Sequence, residues 1–304
     1  MRYRFYTADV FTDRIFGGNQ LAVFPAGRGL ETARMQAVAA EFNIAETVFV
    51  LPPDDPAHTR RLRIFTPRAE LPFAGHPTIG TAHVLAATGE IDLAGETTRI
   101  VFEEGVGAVP VTIRAAGGKP VSATLTAAAP PEIGPAPPPA AELAAMLSLD
   151  EGDVLGGDHA PEAIASGPRF VFVPLANRGA VGRARIDPAL WQRLLAGFWA
   201  PNVYVFAFDA ELAGSDVRAR MFAPALGIAE DPATGAAATA LAAYLGVRDA
   251  RADGTLRWVV EQGFEMGRPA LLEVEADKAA GEVAAIRVGG SSVMVSEGEM
   301  EIPR

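Results

Sequence analysis

The chain has 304 residues, 49% of them hydrophobic and 21% charged, with a formal net charge of −11 at pH 7. That length can bury one large core or two of ordinary size, and an acidic balance without any run of Lys or Arg speaks against nucleic acid as a partner. There is no cysteine, which excludes disulfides, thiolate metal sites, cysteine nucleophiles and two-thiol racemase chemistry.

Taken in chain order, the N-terminus alternates like a strand, with Arg4–Val10 the clearest part. It lacks the apolar stretch of a leader, and no segment holds about 18 uninterrupted apolar residues, so a cytoplasmic protein with no membrane partner is expected. A turn at Gly17-Gly18-Asn19 leads to a strand at Gln20–Phe24, a helix at Thr32–Phe42, and strands at Glu46–Leu51 and Arg61–Phe65. Gly80–Thr88 reads as an apolar helix, followed by strands at Thr98–Glu103 and Val109–Ile113. Ala127–Pro139 is rich in proline, which has no backbone donor and a fixed φ, and reads as the connection between two halves. Beyond it come a strand at Arg169–Val173, a helix at Pro188–Ala196, strands at Val203–Phe208 and Arg218–Phe222, a helix at Ala236–Leu245, and strands at Arg257–Glu261 and Ala270–Glu275.

The halves resemble each other. Arg63-Ile64-Phe65-Thr66-Pro67 matches Arg220-Met221-Phe222-Ala223-Pro224, Glu103-Glu104-Gly105 matches Glu261-Gln262-Gly263, and Glu46 falls against Asn202. His76-Pro77-x-x-Gly80 is set against Asp231-Pro232-x-x-Gly235. This order predicts two fused α+β copies, residues 1–128 and 129–304, with a final strand free to return to the first half. In each, strands wrap one helix that is apolar all round and therefore buried.

A helix N-terminus leaves backbone N–H groups unpaired and carries partial positive charge, and a nearby Gly lets a ligand approach. The two helix starts therefore read as anion cradles opening on a cleft between the halves, suited to a small carboxylate. Asp231, before Pro232, is also placed to cap its helix. His76, in a Gly-His-Pro turn, is expected to face the cleft, whereas His83 is expected to be structural. Glu46 enters an otherwise apolar strand, where burial would raise its pKa and suit it to shuttling a proton. Asn202 cannot do this, so one acid/base is expected rather than a symmetrical pair. None of the four histidines has metal-ligand spacing, and no metal is expected.

These blocks resemble the phenazine-biosynthesis isomerase (PhzF-like) family. The resemblance runs through Asp9-Val10-Phe11-Thr12, Phe16-Gly17-Gly18-Asn19, Asn43–Phe49, Thr66–Thr78, Glu230–Gly235, Glu261-Gln262-Gly263 and Met266-Gly267-Arg268-Pro269. It implies a diaminopimelate-epimerase-like α+β fold, the active site between two pseudo-symmetric halves, a homodimer, and no metal or organic cofactor. It further implies that Glu46 moves a proton on a ring carbon with His76 and Asp231 assisting, as in isomerisation of trans-2,3-dihydro-3-hydroxyanthranilate. Asn19, Gly75, Gly235 and Ala236 would bind the substrate. Ala236 stands where the family often has Ser, leaving only its backbone N–H for that contact. A racemase, epimerase or small lyase on the same scaffold, and a non-catalytic metabolite-binding protein, are the alternative functions.

Overall fold

The computed structural model describes residues 1–127 and 131–303. The chain forms two compact units, Met1–Thr126 with Gly289–Arg304, and Ala127–Val288. The connection read at Ala127–Pro139, and with it the 128/129 boundary, falls partly on residues outside those described.

In the first unit, β1 (Arg2–Val10) lies antiparallel to β2 (Asn19–Phe24) and to the last strand of the chain, Ser292–Glu301. Helix α1 (Thr32–Phe42) carries the chain back, so that β3 (Glu46–Leu51) runs parallel to β2 with Glu46 opposite Leu21. β4 (Arg60–Phe65) and β5 (Glu70–Leu71) follow antiparallel. Helix α2 (Gly75–Ala87) crosses to β6 (Thr97–Glu104), which pairs parallel with β4, and β7 (Gly107–Ala116) and β8 (Lys119–Thr126) complete the sheet as antiparallel neighbours. The sheet curves round α2, whose residues from Gly75 to Ala86 are all buried. That explains a helix without a polar face: Ile79, Ala82, Val84 and Leu85 are fully buried, each large side chain contributing roughly 1.5–3 kcal/mol. On the other side of the sheet, α1 buries Met35, Val38 and Ala39 against Phe24, Phe49 and Phe65. It stops at Asn43, which takes the left-handed conformation with φ 49°.

The second unit contains β9 (Glu132–Ile133), α3 (Ala140–Met146), β10 (Glu162–Ala165), β11 (Arg169–Pro174), α4 (Arg178–Arg183), α5 (Pro188–Leu194), β12 (Asn202–Ala207), β13 (Val217–Ala223), β14 (Ile228–Asp231), α6 (Gly235–Arg248), β15 (Gly254–Gln262) and β16 (Ala270–Ala279). β17 (Glu282–Gly290) leads out to the last strand, β18 (Ser292–Glu301). The order of pairings repeats the first unit. β11–β12 is parallel like β2–β3, β12–β13 and β13–β14 are antiparallel, β13–β15 is parallel like β4–β6, and β15–β16 is antiparallel. α6, like α2, is buried over most of its length.

Ion pairs repeat too. Arg63 grips Glu70 through two hydrogen bonds of 2.7 and 2.6 Å, and Arg220 grips Glu230 through two of 2.8 Å. Glu103 accepts the N–H groups of Asp54 and Asp55, and Glu261 those of Glu211 and Leu212.

These features correct the sequence register at the helix starts. Glu70 corresponds to Glu230, Pro72 to Pro232, and Gly75 to Gly235, each Gly being the first residue of its helix. Pro77 is the third residue of α2, where its missing N–H is not needed, so the helix begins at Gly75 rather than Gly80. Gly80 is not part of a cradle. A Cβ there would sit 2.5 Å from side-chain carbons of both Leu21 and Val10, so its role is close packing. In this register Ala236 stands where His76 does, and Asp231 where Leu71 does.

Candidate active site

In the first unit, β2, β3 and α2 bring three of the expected residues together. Glu46 opens β3, His76 is the second residue of α2, and Asn19 opens β2. Glu46 Oε2 lies 3.0 Å from His76 Nε2, on a line outside hydrogen-bond geometry. Asn19 Nδ2 lies 3.4 Å from His76 Nδ1. The side chains of Glu46 and His76 are 14% and 7% exposed, and Asn19 is buried. His76 is thus buried within the first helical turn rather than displayed on a turn. Gly75 precedes it, also buried, with Ala74 as the N-cap. The imidazole and the positive end of α2 both stand beside the Glu46 carboxyl.

Asp9, which sequence reasoning did not single out, supports this cluster from β1. It is buried and accepts the N–H of Phe16 at 2.7 Å, holding Phe16 at φ 68° in the loop that delivers Asn19. A carboxylate near the end of an apolar strand was the available signal.

In the second unit, Asp231 ends β14, and α6 begins at Gly235, followed by Ala236. The N-cap position of α6 is Thr234 rather than Asp231, and its hydroxyl donates to Asp231 Oδ2 at 2.6 Å. Gln262 is fully buried beside them. Its Nε2 donates to the Asp231 carbonyl at 2.8 Å and to Thr234 Oγ1 at 2.9 Å. Its Oε1 accepts from the Tyr204 hydroxyl at 3.2 Å. Burial, and then the charge of Asp231, push the Tyr204 phenol well above its ordinary range, so it remains an O–H donor. Tyr204 and Gln262 were missed although both were visible, one as a hydroxyl in an apolar strand and the other inside the repeated Glu-x-Gly block.

His83 lies buried on α2, and desolvation pushes it down to about 4, so it is neutral at pH 7. Among the described residues, no three His, Asp or Glu side chains are grouped so as to hold a metal ion, and no helix is long and apolar enough to cross a membrane.

The profile of the phenazine biosynthesis-like protein family matches residues 8–298. The chain belongs to that family. It is 40% identical over 299 residues to an uncharacterised isomerase of Mesorhizobium japonicum, with 97% of each chain covered. It is 36% identical to the trans-2,3-dihydro-3-hydroxyanthranilate isomerase of Pseudomonas aeruginosa, covering 97% of this chain and 98% of the other. The fold matches a PhzF-family protein of Bacillus anthracis with a TM-score of 0.89 at 24% identity, covering 99% of this chain and 100% of that one. The chain is an isomerase with the α+β fold of this family.

Proposed function

We propose that the chain moves a proton between two carbons of a small, cyclic, carboxylated substrate, using Glu46 both to remove the proton and to return it. The observation that carries this reading is the Glu46–His76 approach at 3.0 Å, largely shielded from water. A carboxylate can accept a proton from carbon and give it back in one catalytic cycle without other equipment. With Asn19 donating to Nδ1, the neutral imidazole carries its proton on Nε2, toward Glu46. It then stabilises the carboxylate and is displaced from it as the carboxyl takes up the substrate proton. The misaligned approach in the free protein suits a group that realigns when substrate enters.

The start of α6, with the backbone of Gly235 and Ala236 and the Asp231 carboxylate, serves as hydrogen-bonding machinery for the substrate in this reading, and Gly75 lines its carboxylate site. Similarity to the hydroxyanthranilate isomerase supports that compound as the first substrate to try. Family resemblance supports a homodimer, which light scattering tests directly.

The experiment is turnover of trans-2,3-dihydro-3-hydroxyanthranilate in D2O, followed by mass spectrometry and product stereochemistry. Glu46→Gln is expected to lower turnover by at least ~100-fold. Undiminished turnover by this variant refutes the assignment. Inversion at one carbon without a double-bond shift makes the enzyme an epimerase instead.

A further inference from the structure

Glu104 ends β6 with its carboxyl buried; the residue is 8% exposed. Its Oε1 lies 2.6 Å from Thr78 Oγ1, and its Oε2 is buried without a hydrogen-bond partner. Thr78, fully buried in the first turn of α2, also has its Oγ1 2.8 Å from the carbonyl of Ala74, the N-cap.

A hydroxyl has one proton and cannot donate to both oxygens. If Thr78 donates to Ala74, the 2.6 Å contact requires the proton of a neutral Glu104. If Glu104 is ionised, it can only accept, and the Thr78 hydroxyl donates to it. Thr78 Oγ1 and the Ala74 carbonyl then face each other with lone pairs at 2.8 Å, and the turn must shift. Burial favours the first arrangement. It pushes the Glu104 carboxyl up to about 8, opposed only by the bond to Thr78.

No charge contributes to that shift. The charged and titratable groups on the neighbouring elements are Arg60, Arg61 and Arg63 on β4, Glu70 on β5, His76 and His83 on α2, Arg99 and Glu103 on β6, Arg114 on β7 and Lys119 on β8. Of these, Arg63 is paired with Glu70, Arg61 with Asp54, and Glu103 with His58.

The second half supports the same reading. Gln262 ends β15 before Gly263 as Glu104 ends β6 before Gly105, and it ties down the start of α6 with an amide that both donates and accepts. A neutral carboxylic acid has nearly the same shape and the same pair of functions.

We propose that Glu104 is a positioning residue: in its neutral acid form it donates to Thr78, which locks Ala74, and with it Gly75 and His76, at the start of α2, and its ionisation releases that turn. The inference rests on reading His76 as the partner of Glu46, and its test needs no substrate. In 15N-labelled protein titrated from pH 6 to 9.5, the Gly75 amide and the His76 ring nitrogens are expected to shift with an inflection near pH 8. Glu104→Gln is expected to abolish that inflection and hold the low-pH positions throughout. Thr78→Val, which cuts the link while leaving the acid in place, is expected to abolish it as well, and it decides the matter if the Gln variant does not fold. An inflection that survives either substitution, or none in the unsubstituted protein, overturns the proposal. An active Glu46→Gln enzyme would instead overturn the shuttle and leave this result standing.

Discussion

In the proposed mechanism, the Asn19 amide sets which nitrogen of His76 carries the proton. Its 3.4 Å contact with Nδ1 is long, so its loss should cost about 1 kcal/mol, or roughly a five- to tenfold drop in turnover for Asn19→Ala. Measured by solvent-deuterium incorporation, a loss approaching that of Glu46→Gln would mean that Asn19 touches the reacting atoms instead. Glu104 adds a stability prediction with a definite sign. Its carboxyl has an ordinary pKa of 4.5 and a folded one near 8. Between these values the folded chain keeps a proton that the unfolded chain has released, so stability falls as pH rises through the window. Below pH 4.5 both states are protonated and the effect vanishes. Glutamine cannot ionise. The stability of Glu104→Gln relative to the parent should therefore rise by about 2–3 kcal/mol between pH 5 and pH 7, at ~1.4 kcal/mol per unit. Urea denaturation at the two pH values reads this difference, and a gap independent of pH would show that Glu104 is already ionised in the fold.

Each unit positions its helix start with the same three-part device: an Arg–Glu pair on the preceding strands, a proline turn, and a glycine against which that proline packs. A Cβ on Gly105 would lie 2.7 Å from Pro72 Cα, and one on Gly263 would lie 2.5 Å from the Pro232 carbonyl oxygen. Gly263 also has φ +78°, where a side chain is strained whatever the space. Gly263→Ala should therefore cost at least ~2 kcal/mol, combining backbone strain with a clash against backbone that cannot yield. Both a fall in the urea midpoint and a shift of the Asp231 and Thr234 amide resonances are expected; an unchanged midpoint would show that the turn moves freely. Eleven of the strands and α1 were legible from alternation and period, two of these elements down to the bounds Thr32–Phe42 and Glu46–Leu51. The start of α2 was not, because Pro77 looks like a boundary while the first turn of a helix tolerates it. Strands β8, β10 and β17 were not read, and the expected final strand, β18, was given no bounds, because charged residues and glycines interrupt its apolar alternation, as in Ser296-Glu297-Gly298-Glu299.

Across the whole chain, one order of strand pairings is used twice, and the sequence disclosed it because the pairing residues themselves recur. Glu46 and Asn202 open equivalent strands, facing Leu21 and Phe170 across equivalent parallel pairs. The site asymmetry was only half legible: the Glu46/Asn202 difference is plain in the sequence, but the helix-start register set His76 against Asp231. With Gly75 matched to Gly235, the histidine has Ala236 as its counterpart, so the second unit lacks the acid and its imidazole together. This bears on whether the function could be moved from one half to the other by a single change. Asn202 is buried, donates to the Arg169 carbonyl at 3.0 Å, and has an Oδ1 without a hydrogen-bond partner. A carboxylate there would lose the amide donor, face that carbonyl, and find no ring nitrogen at Ala236. Burying it without a partner costs several kcal/mol unless it stays protonated, and a carboxyl held protonated cannot abstract a proton from carbon. Asn202→Glu introduced into the Glu46→Gln background should therefore restore no deuterium incorporation and should lower stability by about 2–4 kcal/mol at pH 7. Recovery of even a tenth of the parent activity would mean that a lone acid suffices and that His76 is dispensable for shuttling.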